Sequence, residues 1–147
     1  MKLAIVVPRY GPEIVGGAET FARRLAELLP TPEFHVEVWT TCTDNLGAGE
    51  NVYSPGLQEI NGVPVLRFPI DARFRNEQLF HQLTAEISRY AVTNVEDEYA
   101  WIANNVHSPT LYHHIMREGQ AFDLLLFIPY LYGITFYGAS IWPERTI

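Results

Sequence analysis

The chain has 147 residues, of which 48% are hydrophobic and 13% aromatic, enough apolar material for one packed domain; only 18% are charged, which excludes wholesale disorder. Its formal charge is −7, and Lys2 is the sole lysine beside nine arginines, so no basic stripe exists to neutralise a nucleic-acid backbone. Cys42 stands alone, which excludes an intrachain disulfide and a thiolate metal cluster.

Residues 3–7 (Leu-Ala-Ile-Val-Val) form an unbroken apolar run ended by Pro8, too short for a helix, and predict a strand buried on both faces. A loop with Gly11, Pro12, Gly16 and Gly17 follows. From Ala18 the apolar residues recur at helical spacing (Phe21, Ala22, Leu25, Leu28, Leu29) until Pro30 and Pro32 stop the helix. Arg23 and Arg24 read as solvated surface. Residues 34–41 alternate, with Val36, Val38 and Thr40 on one face and His35, Glu37 and Trp39 on the other, which predicts a half-buried strand. Strand, glycine loop, helix and strand make one βαβ unit with parallel strands. Cys42 reads as a small, half-buried residue at the end of the second strand.

Residues 42–56 read as an exposed loop. Asn61-Gly62 between two strand-like segments is a type I′ hairpin signal, and Pro64 puts that hairpin at the edge of the sheet. Residues 77–103 are mostly helical with a break near Asn94. Glu96-Asp97-Glu98 then suits a helix N-terminus. Ser108-Pro109 predicts an N-cap and first residue of a helix to about Arg117, closed by Gly119. Asp123 introduces Leu124 to Ile128, a second candidate for a fully buried parallel strand, stopped by Pro129. A short helix is expected within residues 130–140, and a further strand would begin after Arg145-Thr146. The expected fold is α/β: a Rossmann-like parallel sheet with helices on both faces and an edge β-hairpin, one domain over 1–147 that is cut short at its C-terminal end.

The segment from Pro8 to Thr20 carries the chemistry. It leaves the first strand at the carboxyl edge, where α/β sheets bind ligands. Gly16 and Gly17 let backbone amides approach a phosphate, diphosphate or carboxylate, and the following helix adds free N–H groups and a positive dipole end. A ligand-free tight turn is the competing reading. Glu19 brings a negative charge to that first turn and stands four residues before Arg23, the favoured order for an ion pair. The segment is neither a P-loop, since Ala18-Glu19 follows the last glycine, nor a G-x-G-x-x-G fingerprint, and Asp44 lies late for a ribose-binding acid. His113 and His114 point about 100° apart on a helix, and the remaining histidines are scattered, so no metal is expected.

Lys2 to Pro8, the loop ending Gly16-Gly17-Ala18-Glu19 and the helix from Phe21 to Ala26 resemble the N-terminus of family 4 glycosyltransferases. Thr40-Thr41-Cys42, Ile60-Asn61-Gly62-Val63, Arg67-Phe68-Pro69 and Asp123-Leu124 are similar in the same order. The resemblance implies a GT-B architecture, with this chain as its N-terminal, acceptor-side half. By that resemblance Gly16 and Gly17 match the donor-phosphate loop and Glu19 its flanking acid, while Arg9 and Tyr10 lie at the mouth. Tyr130 and Tyr132, after the second buried strand, pack or line an acceptor platform. Catalytic residues are expected mainly on a C-terminal domain absent from this sequence, and no loop histidine of the family's kind is present.

The implied function is transfer of a sugar from a UDP- or GDP-sugar to a glycan, lipid or small-molecule acceptor, with retention, without a metal or other cofactor, and with the C-terminal domain in cis. The alternatives are an NAD- or flavin-binding Rossmann domain and a non-catalytic ligand-binding module. No signal-like or membrane-spanning run is present, so the reading is cytoplasmic, with peripheral membrane association left open.

Overall fold

The structure, a computed structural model, describes residues 1–47, 49–73, 75–89 and 94–147. Their elements run, in chain order, β1 (Lys2–Val7), α1 (Gly17–Leu28), β2 (His35–Thr41), β3 (Gly56–Ile60), β4 (Val63–Phe68), α2 (Glu77–Ser88), α3 (Val95–Ala103), α4 (Pro109–Glu118), β5 (Leu124–Phe127) and α5 (Gly133–Ala139), with 3-10 turns at Gly119–Ala121 and Pro143–Arg145. The strands form one five-stranded sheet in the order β3-β4-β2-β1-β5. β1 pairs in parallel with β2 and β5, β2 pairs in parallel with β4, and only β3 runs antiparallel. The fold is α/β and Rossmann-like.

Local sequence explains most of these boundaries. Asn61 and Gly62 both have positive φ, 52° and 78°, as the two-residue hairpin turn demands. β3 takes the sheet edge, and the parallel pairing of β4 with β2 starts at Val65, one residue past the donorless Pro64. The Asn94 side chain accepts from Asp97 N, and that of Ser108 from Leu111 N, so each caps the helix that follows it. Pro109 occupies the first turn of α4.

Two apolar layers sandwich the sheet. Ala22 and Ala26 of α1 cover Leu3, Ile5, Val7, Val36, Val38, Val63 and Val65 on one face. On the other, Leu111 and Ile115 of α4 and Ile134 of α5 pack on Ala4, Val6, Trp39, Leu125 and Phe127. Each fully buried aliphatic side chain contributes about 1.5–3 kcal/mol, so these layers account for most of the drive to fold.

Three expectations change. β2 is not half-buried: it sits between β1 and β4 with helices on both sides, and Trp39 is 0% exposed, edge-on to His114 and Phe122 at 4.5 and 4.9 Å. Cys42, just past it, is likewise fully buried. β5 lies outermost, and Leu124 and Leu126 are only half-covered because α1 lies over the central strands. Outside β5, Thr146 bridges Leu125 in parallel, and Ile147 bonds to Leu125 O and Phe127 N. No helix among the described residues is long and apolar enough to cross a membrane.

Candidate functional site at the β1–β5 switch point

The chain leaves β1 to form α1 on one face and leaves β5 to form α5 on the other. The two loops therefore part at the carboxyl ends of adjacent parallel strands, the topological switch point where such sheets open a crevice. Gly16 is the N-cap of α1, with no side-chain cap bond, and Thr20 N is the first amide to find an intrahelical acceptor, Gly16 O. The amides of Gly17, Ala18 and Glu19 thus begin the helix without partners of that kind.

The glycines differ. Gly16 has φ 170°, an extended conformation open to any residue, but a methyl there would collide with the Glu19 carboxylate. Gly17 has open space on its Cβ side, with no atom within 4 Å. Its value to a ligand is the bare approach to the amides, and positive φ plays no part.

Glu19, only 7% exposed, turns back from the first helical turn and receives Nε and Nη2 of Arg9 on Oε1, the former at 3.0 Å. Its expected partner, Arg23, goes elsewhere: Arg23 Nη1 donates to Gly11 O at 2.7 Å and Pro12 O at 3.1 Å, so this arginine ties down the loop instead of solvating the surface. Arg9 also donates Nη1 to Asp44 O at 3.1 Å, which leaves part of its donor fork uncommitted. Tyr132 arrives from the other loop. Burial raises its pKa first, Glu19 raises it further and Arg9 lowers it, so its hydroxyl sits within reach of that pair's field.

With Tyr132 near enough to feel its charges, the group Arg9, Gly16, Gly17 and Glu19 gathers at the start of α1. Tyr10 does not. It was expected at the mouth, but it is 0% exposed and packs in the α1-side core, where burial, followed by Glu27, pushes its phenol to about 12. Tyr130 is 81% exposed, on the loop after the cis Ile128-Pro129 bond.

Sequence reading missed Arg67 and Tyr53. Arg67 shares strand parity with the buried Val63 and Val65, which was the available signal of its burial. It is 3% exposed and donates to Tyr10 O at 2.6 Å and Thr41 O at 3.2 Å. An open cavity of about 530 Å³ lies elsewhere, beside Pro69, Asp71, Arg73 and Thr110. Arg73 there is folded onto Asp71, and their hydrogen bonds lower that carboxyl to about 2. Among the described residues, no group of three or more His, Cys, Asp or Glu is placed to share a metal ion. The switch point can accept an anion on helix amides beside a partly free guanidinium, and Val15 and Tyr130, one on each of the two loops, are exposed. No protein-family model, curated protein or solved structure matches the chain.

Proposed function

We propose that this domain is the acceptor-side half of a GT-B glycosyltransferase and that its switch-point crevice receives the diphosphate of a UDP- or GDP-sugar. The carrying observation is the Arg9–Glu19 pair at the uncapped start of α1, beside the strand whose following loop bears Tyr132. The helix amides and dipole supply attraction for the phosphates. Glu19 neutralises much of Arg9 and fixes its direction, leaving spare guanidinium N–H groups for a phosphate oxygen. Tyr132 offers a hydroxyl from the opposite loop, and the exposed Tyr130 ring offers a face to an acceptor sugar. The groups that activate the acceptor and grip the nucleotide base would come from a second domain, as would metal-free retention at the anomeric carbon.

The open alternative, a nicotinamide or flavin domain, uses the same switch point. It is disfavoured because the β2 tip presents buried Thr41 and Cys42, while exposed Asp44 engages Arg9 through its carbonyl. NMR titration with UDP- and GDP-sugars beside NAD(H) and FMN tests the choice. Shifts at the amides of residues 16–20 with nucleotide sugars only support the proposal, and tighter binding of NAD(H) or FMN refutes it.

A further inference from the structure

We infer that Arg67 and Tyr53, both outside the glycine loop, are its positioning residues, and that the Tyr53–Glu13 bond is the point at which the loop is released. Only the functional consequence rests on the reading of the site above.

Among the described residues, Arg67 is a buried cation bonded to no carboxylate. Arg67 on β4 is almost inaccessible, and such a residue is seldom buried without a carboxylate partner. Its guanidinium instead lies between the carboxyl ends of β1 and β2, held by Tyr10 O, Thr41 O and, at 3.4 Å, Gln58 Oε1. Its burial, with 3% of the residue exposed, lowers its pKa. The Tyr53 ring covers the open side of the guanidinium, with Cζ 4.1 Å from the ring centroid. The Tyr53 hydroxyl then donates to Glu13 Oε1 at 2.5 Å, so the stack reaches into the loop itself.

Arg23 completes the hold from α1 by binding Gly11 O and Pro12 O. Successive carbonyls at residues 10, 11 and 12 are therefore drawn onto two guanidinium groups. In a trans peptide the next N–H points opposite its carbonyl, so the amides of Gly11 and Glu13 are turned away from both arginines. Ile14 N closes the turn on Gly11 O at 3.2 Å. The β1–α1 loop thus has a fixed half, residues 10–14, pinned from β4, α1 and the β2–β3 loop. Its other half, Val15 to Gly17, is presented to the crevice, with Val15 89% exposed. Pro12 and Glu13 are both exposed, but among the described attachments only that of Glu13 is made through a side chain of the loop, so it is where the hold opens with least disturbance of the core.

Amide exchange on the folded protein tests this, read at Ile14 against Ile5 and Val38 in the sheet. Tyr53→Phe keeps the ring over Arg67 and removes the hydroxyl; Glu13→Ala removes the acceptor. Each should speed Ile14 exchange about 10-fold or more while the sheet amides stay as in wild type, and the double variant should do no more than either single one. Ile14 exchange unchanged in both variants, or sped equally with the sheet, overturns the inference. In parallel, UDP- and GDP-sugar titrations should show weaker binding to both variants. If wild type binds neither donor, the proposed function fails, yet the exchange result still decides the clamp.

Discussion

Gly17→Val separates the site from the turn. Beyond its chain neighbours and its own helix backbone, no atom lies within 4 Å of a Cβ placed at Gly17, and its backbone is not left-handed, so the Cβ of valine meets no clash and no backbone strain. Its effect on stability should stay within about 0.5 kcal/mol, as for exposed substitutions in general. The added isopropyl group nevertheless fills the space through which a diphosphate would reach the amides of residues 17–19. Loss of two or three amide hydrogen bonds, at about 1 kcal/mol each, weakens binding by about 30- to 150-fold. Without a second domain to grip the nucleotide, wild-type affinity should be about millimolar. Gly17→Val should then give no saturable shift at tens of millimolar donor, with Gly17→Ala between the two. Gly11→Ala, which looks like a control in the sequence, is a poor one: its Cβ would lie 2.6 Å from the Glu13 carboxylate and disturb the Tyr53 contact. A Gly17→Val protein with wild-type Tm and an unchanged titration curve refutes the phosphate reading.

Other consequences are open to direct measurement. Arg9→Ala strands a carboxylate that is 8% exposed; since Arg9 is itself 22% exposed, urea denaturation should show a loss of about 1–3 kcal/mol, less than for a fully buried pair, and Arg9→Met/Glu19→Gln should recover most of it. Burial holds the pKa values of His107 and His114 below the ordinary 6.5, so their contribution is complete above that value and is lost as pH falls from 6.5 through the folded-state values. Tm should therefore fall between pH 7 and 5, and a flat profile contradicts the assignment. Residues 1–147 alone should transfer no sugar, because one wall of a crevice cannot hold both reactants at attack distance; turnover above a protein-free control contradicts this.

Where a single residue type sets a local conformation, the sequence was easy to read. Asn61-Gly62, Asn94 and Ser108-Pro109 each act within a few residues, and each does in the structure what its chemistry requires. What depends on the third dimension was less legible. The alternation of β2 could not reveal that α4 covers the Trp39 face, because that cover lies far downstream, 75 residues separating Trp39 from His114. The helical i, i+4 rule suggested Glu19–Arg23, but Arg9 reaches Glu19 from the β1 tip, and Arg23 is taken by loop carbonyls. Gly16 and Gly17 marked a loop end and helix start, and the structure has both there. That Tyr10 is buried in the α1-side core, and that the loop bearing Tyr132 follows a strand beside β1, could be read only from the assembled sheet.

The central claim is that the uncapped start of α1, beside Arg9 and Tyr132, receives a nucleotide-sugar diphosphate. Its most direct test is a heteronuclear NMR titration of the 147-residue chain with a UDP-sugar, a GDP-sugar, NAD(H) and inorganic diphosphate. The account predicts shifts confined to the amides of residues 16–20 and the loops bearing Arg9 and Tyr132, saturating at about millimolar nucleotide sugar. Diphosphate should reproduce them more weakly, and NAD(H) should not reproduce them. Saturable shifts centred elsewhere, or none at those amides at tens of millimolar, would contradict it.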